Sequence, residues 1–97
     1  MRYPMVKAYV LIKMSTGDVG EAARMIKRIK GVREVCVTFG PYDAVAELEG
    51  GCLNDIARTV ACQIQPVPGV AQTLTCVAAH TELEGMSNQP EGLTRKE

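Results

Sequence analysis

Two stretches of helical periodicity, set 38 residues apart and each running out into a Gly-Val strand start, constrain this chain more than any other feature. In the first, Val19, Ala22, Ala23, Ile26 and Ile29 recur at helical spacing, with Glu21, Arg24, Lys27, Arg28 and Lys30 on the outer face. In the second, Leu53, Ile56, Ala57, Val60, Ala61 and Ile64 form the stripe, and Pro66 and Pro68 forbid its continuation. Adding 38 to Ala23, Ile26, Gly31 and Val32 lands on Ala61, Ile64, Gly69 and Val70, so the chain reads as two similar β-α-β units. One face of each helix must pack on something, and the strands between them supply it.

Met5 to Lys13 alternates and is rich in β-formers, which predicts the first strand. Asp18, followed three residues on by Glu21, resembles a capping box at the start of the first helix, and Gly31 stands where a left-handed C-terminal cap is expected. Val32 to Phe39 predicts a second strand, Gly40 to Asp43 a reversal, and Ala44 to Glu49 a third strand closed by Gly50-Gly51. Val70 to Ala79 predicts the fourth. Residues 81–97 are polar, low in aliphatics and rich in breakers, so a flexible tail is expected there and a folded domain over residues 1–80. Right-handed crossovers in the order β-α-β-β-α-β put both helices on one face of a four-stranded antiparallel sheet, an α+β, ferredoxin-like fold.

That arrangement leaves the second sheet face uncovered. Strict alternation assigns Val10, Ile12, Val35, Val37, Ala46, Leu48, Leu74 and Cys76 to the helix side. It sends Tyr9, Leu11, Cys36, Thr38, Val45, Glu47, Thr73, Thr75 and Val77 to the open side, which is then half apolar. A domain of 97 residues buries only about 60–65% of the surface its unfolded chain exposes, so a partner sheet would add needed core. A sheet-on-sheet homodimer is the expectation.

Composition narrows the function classes. Eleven Lys and Arg balance eleven Asp and Glu, so net charge supplies no attraction to a phosphate backbone or an anionic membrane. No apolar run approaches the ~20 residues of a membrane-spanning helix and no leader pattern opens the chain, which points to the cytoplasm. Cys36, Cys52, Cys62 and Cys76 lack metal-site spacing and read as buried, reduced thiols. His80, the only histidine, sits at the exit of the fourth strand and reads as an exposed terminal residue rather than a catalytic base. No metal or cofactor is implied, and the basic face of the first helix reads as a solvated surface.

The chemistry that remains concentrates in Gly40-Pro41-Tyr42-Asp43. A reversal here sets a tyrosine and a carboxylate at the mouth of two paired strands; the plain alternative is a hairpin tip whose Asp43 caps turn amides. A carboxylate and a tyrosine placed there suit a small zwitterion. Tyr42 can wall the pocket, and Gly40 leaves room for close approach to the backbone.

With Gly40-x-Tyr42-Asp43 between two strands, and Pro68-Gly69-Val70-x-x-Thr73-x-Thr75 after the second stripe, residues 5–80 resemble the effector-binding domain of the leucine-responsive, or Lrp/AsnC, regulators. The resemblance implies a dimeric α/β barrel, amino-acid binding between dimers near Gly40, Pro41, Tyr42 and Asp43 with Thr73 and Thr75, and assembly into octamers or related rings. The first strand starts by Met5, leaving no room for the family's helix-turn-helix, so a stand-alone, non-enzymatic effector domain is expected. It would bind no DNA itself and would act through self-assembly or through mixed oligomers with full-length Lrp/AsnC regulators. Two rival readings are a small dimeric-barrel enzyme of monooxygenase or isomerase type, and a protein-interaction module that binds no small ligand.

Overall fold

The computed structural model describes residues 5–15 and 17–79. The elements follow in the order β1 (Val6–Met14), α1 (Val19–Lys27), β2 (Val32–Val37), β3 (Ala44–Gly50), α2 (Leu53–Thr59) with a π-helical turn (Val60–Ile64), and β4 (Val70–Val77). The four strands form one sheet in the order β2-β3-β1-β4, and every neighbouring pair is antiparallel. This is the ferredoxin-like arrangement expected from the pattern. His80 and the expected tail lie outside the described residues.

Local chemistry explains the helix boundaries. Asp18 Oδ1 accepts the Glu21 N–H at 3.1 Å, satisfying one of the donors left free at the start of α1. After α1 the chain turns through Gly31 at φ +98, a conformation that costs a side-chain-bearing residue a clash with its own backbone. α2 widens at its end: Gln65 N–H donates to Val60 O at 2.9 Å, five residues back rather than four. The wider turn keeps Ile56, Val60 and Ile64 on the buried side. Leu53, Ala57 and Ala61, expected in the same stripe, are exposed, because α2 reaches the sheet along a narrower line than its sequence suggests.

The core lies between the helices and one sheet face. Val10, Ile12, Ile26, Leu48 and Ile64 are its largest fully buried side chains, each stabilising the fold by roughly 1.5–3 kcal/mol through removal from water. Val67, held between two prolines, closes the core below the helices although it belongs to neither stripe. Every core member is aliphatic, as a chain with one Phe and no Trp dictates.

One strand runs out of the expected phase. Met14 pairs with Val70 but Lys13 pairs with Gln72, so Ala71 is an extra residue bulged out of β4. Past the bulge every side chain changes face. Thr73, Thr75 and Val77 pair with Ile12, Val10 and Ala8 and therefore stand on the helix side, while Leu74 and Cys76 pair with Leu11 and Tyr9 on the open side. The sequence assignment of these five residues is thus reversed; those of β1, β2 and β3 hold, although Val37 at the sheet edge stays largely exposed.

The correction makes the open face more apolar. Cys36, Val45, Leu11 and Leu74 are successive partners across all four strands, forming one rung without a charge. Beside it lie Tyr9 and Cys76, then Glu47, which Lys7 meets at 3.4 Å. The four thiols are free and exposed rather than buried. Cys36 and Cys76 belong to the uncovered face, Cys52 precedes α2, and Cys62 lies on the outer side of the π-helical turn between buried Val60 and Ile64.

Candidate functional site

The Gly40-Pro41-Tyr42-Asp43 loop is held from both sides of the sheet. Thr38 N–H donates to Asp43 O at 2.9 Å and Thr38 Oγ1 to Tyr42 O at 2.8 Å, closing the reversal. Asp43 N–H donates to Ile12 O at 2.8 Å, and Lys13 Nζ donates to Pro41 O at 2.9 Å. Gly40 takes φ +138, which is why a glycine stands there, and no atom lies within 4 Å of where its Cβ would be. The approach to this backbone is open.

Asp43 does more than cap its own turn. Its Oδ2 accepts the N–H of Met14 at 2.7 Å. Alternate β1 residues direct their main-chain groups toward β3, and Met14 is the first whose partner the reversal has drawn away, since Tyr42 O is taken by Thr38. The carboxylate replaces that lost ladder partner and, among the described residues, leaves its second oxygen for another donor.

A cation shares the site. The exposed Lys13 ammonium, fixed against Pro41 O, retains two further donors at the loop that also carries the half-buried Tyr42 and Asp43. Sequence reasoning passed over Lys13 because it falls on the open-face phase of β1, where a lysine needs no explanation. An anion and a cation one strand apart match a zwitterion's two ends.

Thr73 and Thr75 lie on the far side of β1 from this loop. Thr73 pairs with Ile12, whose other neighbour is Ala44 next to Asp43, so about two strand spacings, roughly 10 Å, separate the two motifs within one chain. Thr73 Oγ1 accepts from Gln65 Nε2 at 3.0 Å, and Gln65 with Val70 to Thr73 lines a depression of about 330 Å³ at the bulge. Thr75, one step further along β4, is exposed on the helix side. Both motifs occupy one end of the sheet without converging inside a single copy.

A larger depression, about 720 Å³, opens at the opposite end, between the close of α1, the start of β2 and the side of α2. Its rim charges are largely paired with one another: Arg33 meets Glu49 at 2.8 Å and Arg58 meets Asp55 at 3.6 Å. Self-neutralised pairs at high exposure present little to a charged ligand. Among the described residues no three His, Cys, Asp or Glu side chains converge to hold a metal ion, and no helix is long and apolar enough to cross a membrane.

Residues 7–87 match the family model of the Lrp/AsnC ligand binding domain. The chain belongs to the Lrp/AsnC family. Its Lrp/AsnC relatives include an uncharacterised HTH-type transcriptional regulator of Pyrococcus horikoshii, 33% identical over 81 residues that make up 79% of this chain and 53% of that protein. The chain therefore spans about half the length of that regulator. Among solved structures, TTHA0845 from Thermus thermophilus superposes with a TM-score of 0.71 at 30% identity, covering 75% of this chain and 91% of that one. The transcriptional regulator NMB0573 of Neisseria meningitidis, solved as a complex with L-Met, shares the fold with a TM-score of 0.68 at 13% identity, over 75% of this chain and 49% of that one.

Proposed function

We propose that this chain is the sensory part of an Lrp/AsnC-type regulatory system, binding a small amino acid at the Gly40 to Asp43 loop between dimers. Its effect on transcription is exerted through assembly with itself or with full-length relatives; the domain itself neither binds DNA nor catalyses a reaction, and it works in the cytoplasm. The observation that carries this reading is the paired charge at the loop, an Asp43 carboxylate with one oxygen to spare and a Lys13 ammonium, in a domain of the Lrp/AsnC ligand-binding type. The L-Met complex of the Neisseria regulator supports amino acids as the ligand class.

In the proposed complex Asp43 accepts the ligand ammonium, and Lys13 with the open backbone N–H at Gly40 donates to its carboxylate. Tyr42 walls the side chain. Thr73 and Thr75, too far across the sheet to reach the same ligand, come from a neighbouring copy, which makes the site a junction. The uncharged rung through Cys36, Val45, Leu11 and Leu74 supports a sheet-on-sheet dimer as the unit so joined, giving the dimeric barrel and then a ring such as an octamer.

A ligand that touches two dimers binds the assembled state better and so shifts the equilibrium toward it. Titrating the protein with each natural amino acid while following thermal midpoint and sedimentation coefficient tests the proposal. One or a few should raise both; a panel in which none alters either would sink it. Asp43→Asn should abolish the response.

A further inference from the structure

The larger depression, at the end of the sheet away from the Gly40 to Asp43 loop, has a fixed floor. Glu49 N–H donates to Gly31 O at 2.8 Å, tying the turn after α1 to the end of β3. Gly50 lets α2 close in from the other side, since a Cβ there would lie 3.1 Å from Asp55 Cβ and 3.4 Å from Ile56 Cδ1. Main chain held on both sides makes the concavity preformed, and its volume of about 720 Å³ suits a small organic molecule.

Its lining divides by chemistry. Met5, Ile29 and Val32 give an apolar wall: Ile29 and Val32 pack on the core and are half-buried, whereas Met5 keeps 55% of its full exposure. A large apolar side chain left in water at the edge of a concavity gains by being covered.

The charges of the lining do not balance. Arg33 is paired with Glu49 and Arg58 with Asp55, so both lining carboxylates are engaged. Among the described residues, the exposed Lys30 has no carboxylate within salt-bridge reach. The surplus is one positive charge beside an apolar wall. That combination fits a ligand with one anionic end and an apolar body.

We infer that this depression binds a monocarboxylate with an apolar chain, the carboxylate on the Lys30 ammonium and the chain along Met5, Ile29 and Val32. A cationic ligand would meet only carboxylates already engaged, and an amino acid would bring an ammonium without a partner. The site therefore takes a different chemical class from the zwitterion proposed for the Gly40 to Asp43 loop. It does not rest on that reading.

Octanoate serves as the probe, with octanamide as its neutral counterpart and octylamine as its cationic one. In an NMR titration octanoate should saturably shift the main-chain amides of Ile29, Gly31, Val32 and Gly51, and leave those of Gly40, Tyr42 and Asp43 in place. It should bind about tenfold more tightly than either counterpart, the margin of a hydrogen bond to a charged group. Lys30→Gln should remove that margin, weakening octanoate about tenfold while octanamide binds as before, and Lys30→Arg should retain it. Met5→Ser should weaken octanoate and octanamide alike.

Equal affinity for the three probes would overturn the inference, since the chain alone would then be adsorbed. So would native octanoate affinity in Lys30→Gln, or the absence of any saturable shift. Shifts centred on Leu11, Val45 and Leu74 would place the probe on the open sheet face instead, and would overturn it as well.

Discussion

The Asp43 carboxylate and the Met14 main-chain N–H, 29 residues apart in sequence, meet at 2.7 Å and fasten the Gly40 to Asp43 loop to β1. A residue read for its charge is therefore also a structural acceptor. Asp43→Ala should lower stability by about 1–3 kcal/mol, the penalty for a partly buried donor left without its partner. Asp43→Asn keeps an oxygen for Met14 and should stay within about 1 kcal/mol of the native protein in urea unfolding. Equal losses for both would show that charge rather than the acceptor matters to the fold. The Asn variant is thus the cleaner probe of ligand binding.

Thiol reactivity reports on the open face. All four cysteines are exposed in a single copy, but Cys36 and Cys76 lie on the face proposed to meet another sheet. A disulfide-exchange reagent should label Cys52 and Cys62 quickly and the other two at least tenfold more slowly. Leu11→Glu should make all four fast. Uniformly rapid labelling of the native protein would argue against a covered sheet.

Two residues of one helical stripe should respond very differently to truncation. Ile56 is buried against the core, and Ile56→Ala should cost about 2–5 kcal/mol, the range for opening a cavity. Leu53, one turn earlier, is 56% exposed, and Leu53→Ala should change stability by no more than about 0.5 kcal/mol. Chemical denaturation of the pair distinguishes the observed packing line from the wider one implied by the hydrophobic pattern.

Gly31→Ala tests the turn between α1 and β2. The position holds φ +98, and an added Cβ would sit 3.4 Å from Glu49 O, an ordinary contact. The cost should therefore come from the backbone conformation, about 1–2 kcal/mol. A thermal midpoint unchanged by the substitution would mean that this turn relaxes freely.

The order of elements was legible because period 2 and period 3.6 alternate cleanly from Val6 to Ile64, and because Asp18, Gly31, Pro66 and Pro68 punctuate them with recognisable chemistry. The face of β4 was not. Ala71 sits between valine and glutamine in an uncharged strand, and nothing about an alanine announces a bulge; a single uncounted residue then inverted five assignments. The candidate loop was found from its turn formers, whereas the Asp43 to Met14 bond and the Lys13 to Pro41 bond depend on which strands become neighbours in the sheet. Val67 escaped for a related reason: it is buried by the chain's path between two prolines rather than by any periodic pattern.

The sheet order has a consequence for how the domain is made. β1, the first strand in the chain, lies between β3 and β4, so its two neighbours are both synthesised after it. The β2–β3 hairpin can close locally, but β1 must wait first for β3 and then for β4, and contacts between distant segments are the slow ones to form. During translation the nascent domain holds an apolar strand with an unfilled side until Val77 has left the ribosome. Its last-made strand is the one that completes it, and premature termination before β4 would leave a three-stranded sheet with β1 as a bare edge.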